Sequence, residues 1–195
     1  MVFNRTQPYN SSTMSTPYEL TPPQLLAILR GRGLGAGIAA LNAGVGHRYT
    51  GVYRMAGSCL YNVQLHDKLG QARPEALAVV ELADSFCQFV LRDGGLRMDN
   101  TLHEEFLGNH RYRGVLLAYH GVPIGDNAGG LWGTLCHFDF EERGLSEGQY
   151  ELLKAAGHML YPFVRQLRGS EAAPMEQALP VAASVPSSPP PSPVS

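Results

Sequence analysis

The stretch Leu131-Trp132-Gly133-Thr134-Leu135-Cys136-His137-Phe138-Asp139, continuing through Phe140 to Leu145 and Ser146, decides the fold. Leu131 to Phe140 reads as a long strand, and successive strand side chains point to opposite faces, so Cys136 and His137 cannot act together on one group. Ser146-Glu147-Gly148-Gln149 spells a capping box. After it Leu152, Leu153, Ala156, Met159, Leu160, Phe163, Val164 and Leu167 recur at helical spacing. A long strand thus runs into a closing amphipathic helix, in which Pro162 predicts a kink or loosened hydrogen bonding one turn upstream.

Upstream of this stretch, Val115 to His120 reads as its partner strand, and Gly125-Asp126-Asn127-Ala128-Gly129 between them has hairpin-turn chemistry. Tyr49 to Met55 and Cys59 to His66 alternate in period two around a three-residue turn, Ala56-Gly57-Ser58, and predict a β-hairpin. One face of its second strand carries Cys59, Tyr61, Val63 and Leu65. Leu77 to Leu82 predicts a short strand, Asp84 or Ser85 the cap of a helix over Phe86, Phe89 and Val90, and Leu96 to Met98 a further strand. Thr21-Pro22-Pro23 opens a first helix, which glycines 31, 33, 35 and 37 break into two parts before Gly44 ends it. Gly35 to Ala40 matches GxGxxA in spelling, but a helix precedes it where dinucleotide binding requires a strand. The elements add up to an α+β domain: a mostly antiparallel sheet with terminal helices on one face and short elements over the other.

Composition bounds what such a domain does. The 195 residues allow one domain with appendages. Fifteen Lys and Arg against 17 Asp and Glu give a net charge of −2, which lacks the basic excess that nucleic-acid binding needs. No run is long and apolar enough for a membrane span and the polar start has no signal-peptide h-region, so the expectation is a cytoplasmic protein. Cys59, Cys87 and Cys136 show no CxxC spacing and read as reduced thiols. Residues 170–195 hold 7 of the 14 prolines and no aromatic, Lys or Arg, which predicts a disordered tail. The polar residues 1–21 predict a flexible head, leaving 22–169 as the folded unit.

The closing stretch Leu131 to Ser146 resembles a GAF domain. Leu41-Asn42, Tyr49 to Arg54, Ser85-Phe86-Cys87, Asp99 and Tyr119 to Pro123 agree in order, so the resemblance covers about residues 22 to 168. It implies a six-stranded antiparallel GAF-type sheet, terminal helices paired on one face, and a small-molecule pocket on the other, covered by short helices and loops. Cyclic-nucleotide GAF domains carry an Asn-Lys-Xaa-Phe-type motif that Lys68 and Lys154 do not supply, and bilin-binding ones attach pigment at a helix cysteine followed by histidine. Neither pattern is present here, and no cofactor is named by the sequence.

Ser85, Cys87, Asp99, Tyr119 and Cys136 are the pocket candidates. Cys87 begins a helix, where a thiol pKa can fall, and Asp99 matches the acidic position that ends this strand in many GAF domains. The seven histidines show no HxxxH or HExxH spacing and read as solvent-facing or singly hydrogen-bonded, with no metal site. The expected function is a GAF module that senses an unknown small molecule or a protein, signals through another chain, and dimerises through helices bearing Leu153, Leu160 and Leu167. The alternatives are a cysteine-dependent redox enzyme of the free methionine sulfoxide reductase type and a ligand-free dimerisation module. No membrane and no nucleic acid is expected as a partner.

Overall fold

The computed structural model describes residues 19–126, 128–165 and 167. The expectations for the head up to residue 18 and for the tail beyond 169 lie outside them. Six strands form one antiparallel sheet: β1 (Tyr49–Ala56), β2 (Cys59–Asp67), β3 (Val79–Glu81), β4 (Leu96–Met98), β5 (Ala118–Gly125) and β6 (Leu131–Asp139). Their order is β3-β2-β1-β6-β5-β4, so β6 pairs with β1 and β5 at the centre of the sheet. Helices α1 (Pro22–Ala43) and α3 (Glu147–Val164) pack together on one face, and the short α2 (Cys87–Asp93) lies on the other.

Local chemistry accounts for the ends of these elements. The Gln149 amide proton goes to Ser146 Oγ at 3.3 Å, and Ser146 N–H donates back to Gln149 Oε1 at 2.8 Å, closing the capping box. Pro162 falls in the last turn of α3, which ends at Val164. Helix α1 runs as one span with a single break at Gly33, whose φ of 85° is a conformation open to glycine at little cost. The two-part helix is therefore broken by one of its four glycines. Residue Ala56 pairs with Cys59, so the first hairpin turns on two residues, Gly57 and Ser58, in place of the expected three.

Three expected elements differ. Leu77 belongs to a 3-10 turn, Glu75–Leu77, and the strand shrinks to Val79–Glu81. Strand β5 starts at Ala118, because the preceding chain is held in a turn: Thr101 Oγ1 donates to the Leu116 carbonyl and accepts from Gly114 N–H. Neither Asp84 nor Ser85 caps α2; a 3-10 turn, Leu82–Asp84, precedes it, and Ser85 Oγ donates back to the Leu82 carbonyl at 2.9 Å.

Each sheet face has its own core. Leu25, Leu29, Ile38, Val52, Leu135, Leu153 and Leu160 fill the space under α1 and α3, and Tyr49, Tyr53, Phe86, Val90, Met98, Tyr119, Cys136 and Phe138 fill the face under α2. Two register shifts break strict alternation. Opposite β5 the pairing jumps from Ile124–Gly133 to Gly125–Leu131, and Trp132 packs under the terminal helices although Thr134 and Cys136 face the other way. A second shift, between Val52 and Tyr53, lies opposite β2, where Val63 joins the helix-side core and Leu65 the other. The single face expected for Val63 and Leu65 is split by this irregularity. Among the described residues no helix is long and apolar enough to cross a membrane.

Candidate functional site

On the face opposite α1 and α3, the sheet and its cover enclose a cavity of about 200 Å³. Tyr53 of β1, Tyr119 of β5 and Cys136 and Phe138 of β6 form its floor, Val80 of the edge strand β3 one side, and Phe86, Cys87 and Leu77 its cover. Val115 and Phe140, both about half exposed, stand at its rim. None of the lining residues carries a formal charge at neutral pH, apart from what the thiols and phenols can release.

Two glycines flank the middle of the floor. Cys136 pairs with Gly51 on one side and Gly121 on the other, and the room over them is taken by the Tyr53 and Tyr119 rings and Val90. A Cβ at Gly121 would sit 2.8 Å from the Tyr119 ring and from Val90, and a Cβ at Gly51 2.8 Å from the Tyr53 ring. Cys87 descends from α2 into this space. Thr134 Oγ1 donates to Cys87 Sγ at 3.2 Å, and the Tyr119 hydroxyl lies 3.2 Å from the same sulfur. The Cys136 thiol donates to the Gly51 carbonyl at 3.7 Å.

This clustering separates the two thiols. Hydrogen bonding from Cys136 outweighs burial and, with Thr134, Tyr119 and Ser85, brings Cys87 down to about 7. Burial pushes Cys136 well up, as it does the phenols of Tyr53 and Tyr119. Hydroxyls from two neighbouring strands, Thr134 of β6 and Tyr119 of β5, thus face Cys87 Sγ, a surrounding that suits the thiolate form.

Four of the five candidates, Ser85, Cys87, Tyr119 and Cys136, stand on the cavity wall. Asp99 does not. Met98 packs into the cavity-side core, so Asp99, the next residue, lies on the other side of the sheet edge, 62% exposed, with Oδ1 3.4 Å from His120 Nε2. The aromatic residues Tyr53, Phe86 and Phe138 complete the wall; alternation with helix-side neighbours is the signal that would have found the two strand residues, Tyr53 and Phe138.

Behind the floor lies a feature that motif spacing does not reveal. His47, His120 and His137 are all buried on the helix side, with ring centroids 4.8 Å apart for His47–His120 and 5.8 Å for His47–His137. The expectation of solvent-facing or singly bonded histidines fails for His47, because both its ring nitrogens lack a hydrogen-bond partner among the described residues. Asn42 donates to Thr50 Oγ1 at 2.9 Å, and that hydroxyl shares a 2.7 Å hydrogen bond with His137 Nδ1. Burial and the neighbouring His120 lower His47 to about 3, and burial takes His137 well below its usual range. No group of His, Cys, Asp or Glu among the described residues is arranged to hold a metal ion.

No protein-family model and no curated protein matches the sequence. Solved structures do match the fold. The GAF domain of an Acinetobacter phosphoenolpyruvate-protein phosphotransferase superposes with a TM-score of 0.60 at 11% identity, covering 76% of this chain and 93% of that one. A free methionine-R-sulfoxide reductase from Neisseria meningitidis, solved with its substrate, gives 0.59 at 15% identity, with 76% and 89% covered. The chromophore-binding domain of the Stigmatella aurantiaca bacteriophytochrome gives 0.56 at 12% identity, covering 74% of this chain and 58% of that one. Element order, sheet topology and these superpositions agree, and the fold of this chain is the GAF fold.

Proposed function

We propose that the chain is a sensing module whose cavity takes a small, uncharged and largely apolar molecule, and which passes occupancy to a partner chain. The observation that carries this reading is a cavity of about 200 Å³ whose wall, apart from Ser85 and the two thiols, is aromatic and aliphatic, with no Asp, Glu, Lys, Arg or His. Engineered apolar voids of roughly 150 Å³ take up benzene, so this volume suits a substituted ring. A linear tetrapyrrole is too large for it. Free methionine sulfoxide is a zwitterion, and burying its two charges against an uncharged wall costs several kcal/mol, of the order found for unpaired buried ions. A purely structural module would gain stability by filling such a void with larger side chains, which argues against the ligand-free alternative.

Strand β6 supplies the route from ligand to output. Its Thr134, Cys136 and Phe138 face the cavity, while Leu135 and His137 between them face the terminal helices. A shift of the floor is thus felt on the helix side one peptide away.

A thermal-shift screen of uncharged compounds from phenol to indole size tests it. A ligand that binds only the folded state raises the melting temperature in proportion to RT ln(1 + [L]/Kd). The shift should vanish in an Ala76→Trp variant, which fills the cavity from an exposed lining position. Absence of any shift across the screen, or an equal shift in Ala76→Trp, would count against the proposal.

A further inference from the structure

We propose that the ligand class of this cavity is an apolar organic hydroperoxide, and that Cys87 and Cys136 reduce it while closing to a reversible disulfide. The inference rests on the cavity being a ligand site. It adds a reaction to that site.

The geometry points there from three directions. Both sulfurs line the same cavity, and Cys136 stands two residues along β6 from Thr134, whose hydroxyl bonds Cys87 Sγ. Cys87 Sγ accepts from the Thr134 hydroxyl at 3.2 Å and has the Tyr119 hydroxyl at the same distance. Such a surrounding suits a sulfur that becomes an anion, since a neutral thiol gains little from several donors. The rest of the wall is apolar, which selects a hydroperoxide with a hydrocarbon substituent over hydrogen peroxide.

The chemistry balances with these two residues. Ionised Cys87 attacks the distal oxygen of the hydroperoxide, the O–O bond breaks, and Cys87 becomes a sulfenic acid. The alkoxide leaving group takes the thiol proton of Cys136 and departs as the alcohol. The Cys136 thiolate then attacks the Cys87 sulfenic sulfur and expels hydroxide, which becomes water with the proton Cys87 released at the start. Two thiols and one hydroperoxide give one disulfide, one alcohol and one water. Cys59, partly exposed beside the hairpin turn, takes no part and serves as an internal reference.

Cumene hydroperoxide, added in equimolar amount to the full chain, is the probe. The expected product has lost two hydrogens by mass, carries a Cys87–Cys136 cross-link in its peptide map, labels only at Cys59 after denaturation, and reverts with dithiothreitol. Hydrogen peroxide should react slower by about tenfold or more, the discrimination that a few buried methylenes provide. Cys136→Ser should stop at a Cys87 sulfenic acid that dimedone traps, Cys87→Ser should not react, and Cys59→Ser should behave as the unsubstituted chain. Retention of three labelled thiols, or an equal rate with hydrogen peroxide, overturns the proposal. Cumyl alcohol, which binds without oxidising, separates the two readings. A melting shift with the alcohol but no disulfide with the hydroperoxide defeats the thiol reaction alone, and no shift with either defeats the ligand site and this inference with it.

Discussion

Acid should unfold this domain through its buried histidines before it reaches the carboxylates. His47 is fully buried, faces His120, Asp139, Lys68 and Arg143, and has its proton affinity lowered to about 3 by burial first and His120 second. In the unfolded chain it titrates near its ordinary value of 6.5. Its folded pKa is depressed, so between those values the unfolded state binds the extra proton. Stability is then complete above pH 6.5 and is lost as the pH falls toward 3. At pH 5 the loss from His47 alone is about 2 kcal/mol, from 1.36 kcal/mol per pKa unit over the 1.5 units below 6.5. His137, shifted well below its usual range by burial, and His120 lose stability in the same direction. The loss from His47 alone is already a large part of the roughly 5–15 kcal/mol that holds a domain. Asp67, held below its usual value by the Arg48 guanidinium, loses its contribution only below about 4, so the two windows are separable. Urea unfolding at half-unit steps from pH 7.5 to 4.5 measures the slope. His47→Leu should flatten it and, at pH 5, exceed the original chain by about 2 kcal/mol, because no hydrogen bond of the ring is lost. A stability that does not change between pH 7 and 5, or a His47→Leu variant with an unchanged slope, would refute this account of the cluster.

The remaining expectations concern the terminal helices. Leu153 and Leu160, whose seven-residue spacing suggests a dimer, are fully buried against the sheet of one chain, so a homodimer would rest on the half-buried stripe Leu152, Met159 and Phe163 with Leu34 of α1. Light scattering at micromolar concentration should then give twice 21.2 kDa, and Met159→Glu should give 21.2 kDa. A single-chain mass for the unsubstituted protein would remove the helix-mediated dimer. Ser146→Ala opens the capping box of α3 and should cost about 1 kcal/mol in urea unfolding, with the cavity ligands still bound. An unchanged midpoint would mean that the Gln149 side chain, which also donates to the Gly44 carbonyl at 2.7 Å, holds the helix start without it.

The order of elements was legible because each is written in local terms. Thr21-Pro22-Pro23, Ser146 to Gln149 and the alternation of Tyr49 to Met55 are signals that a few neighbouring residues complete. What escaped depends on residues far apart in the chain. Strand β5 begins late because Thr101 ties down Leu116 and Gly114 from fifteen and thirteen positions away. Asp84 and Ser85 look like caps by composition, yet Asp84 is taken up in the 3-10 turn Leu82–Asp84, and the Ser85 hydroxyl turns backward to Leu82.

The site divides along the same line. Period two was enough to place Cys136 and His137 on opposite faces, and in the structure they belong to the two different groups of polar side chains that the sheet separates, the thiol pair and the histidine cluster. The same rule applied to Asp99 sends it away from the cavity once Met98 is known to point in, but which of two neighbours points in is settled by packing and not by composition. At Trp132 and Val63 the rule fails outright, since each lies at a register shift that moves one residue to the other face. The histidine cluster is the limiting case. His47 lies in the loop before β1, His120 in β5 and His137 in β6, and no spacing links them; only the pairing of β1 and β5 with β6 carries them to one place. Residues that share a strand face can be predicted from the alternation of that strand, whereas residues that meet across strands require the register, and in this sheet two shifts make the register a property of the folded molecule.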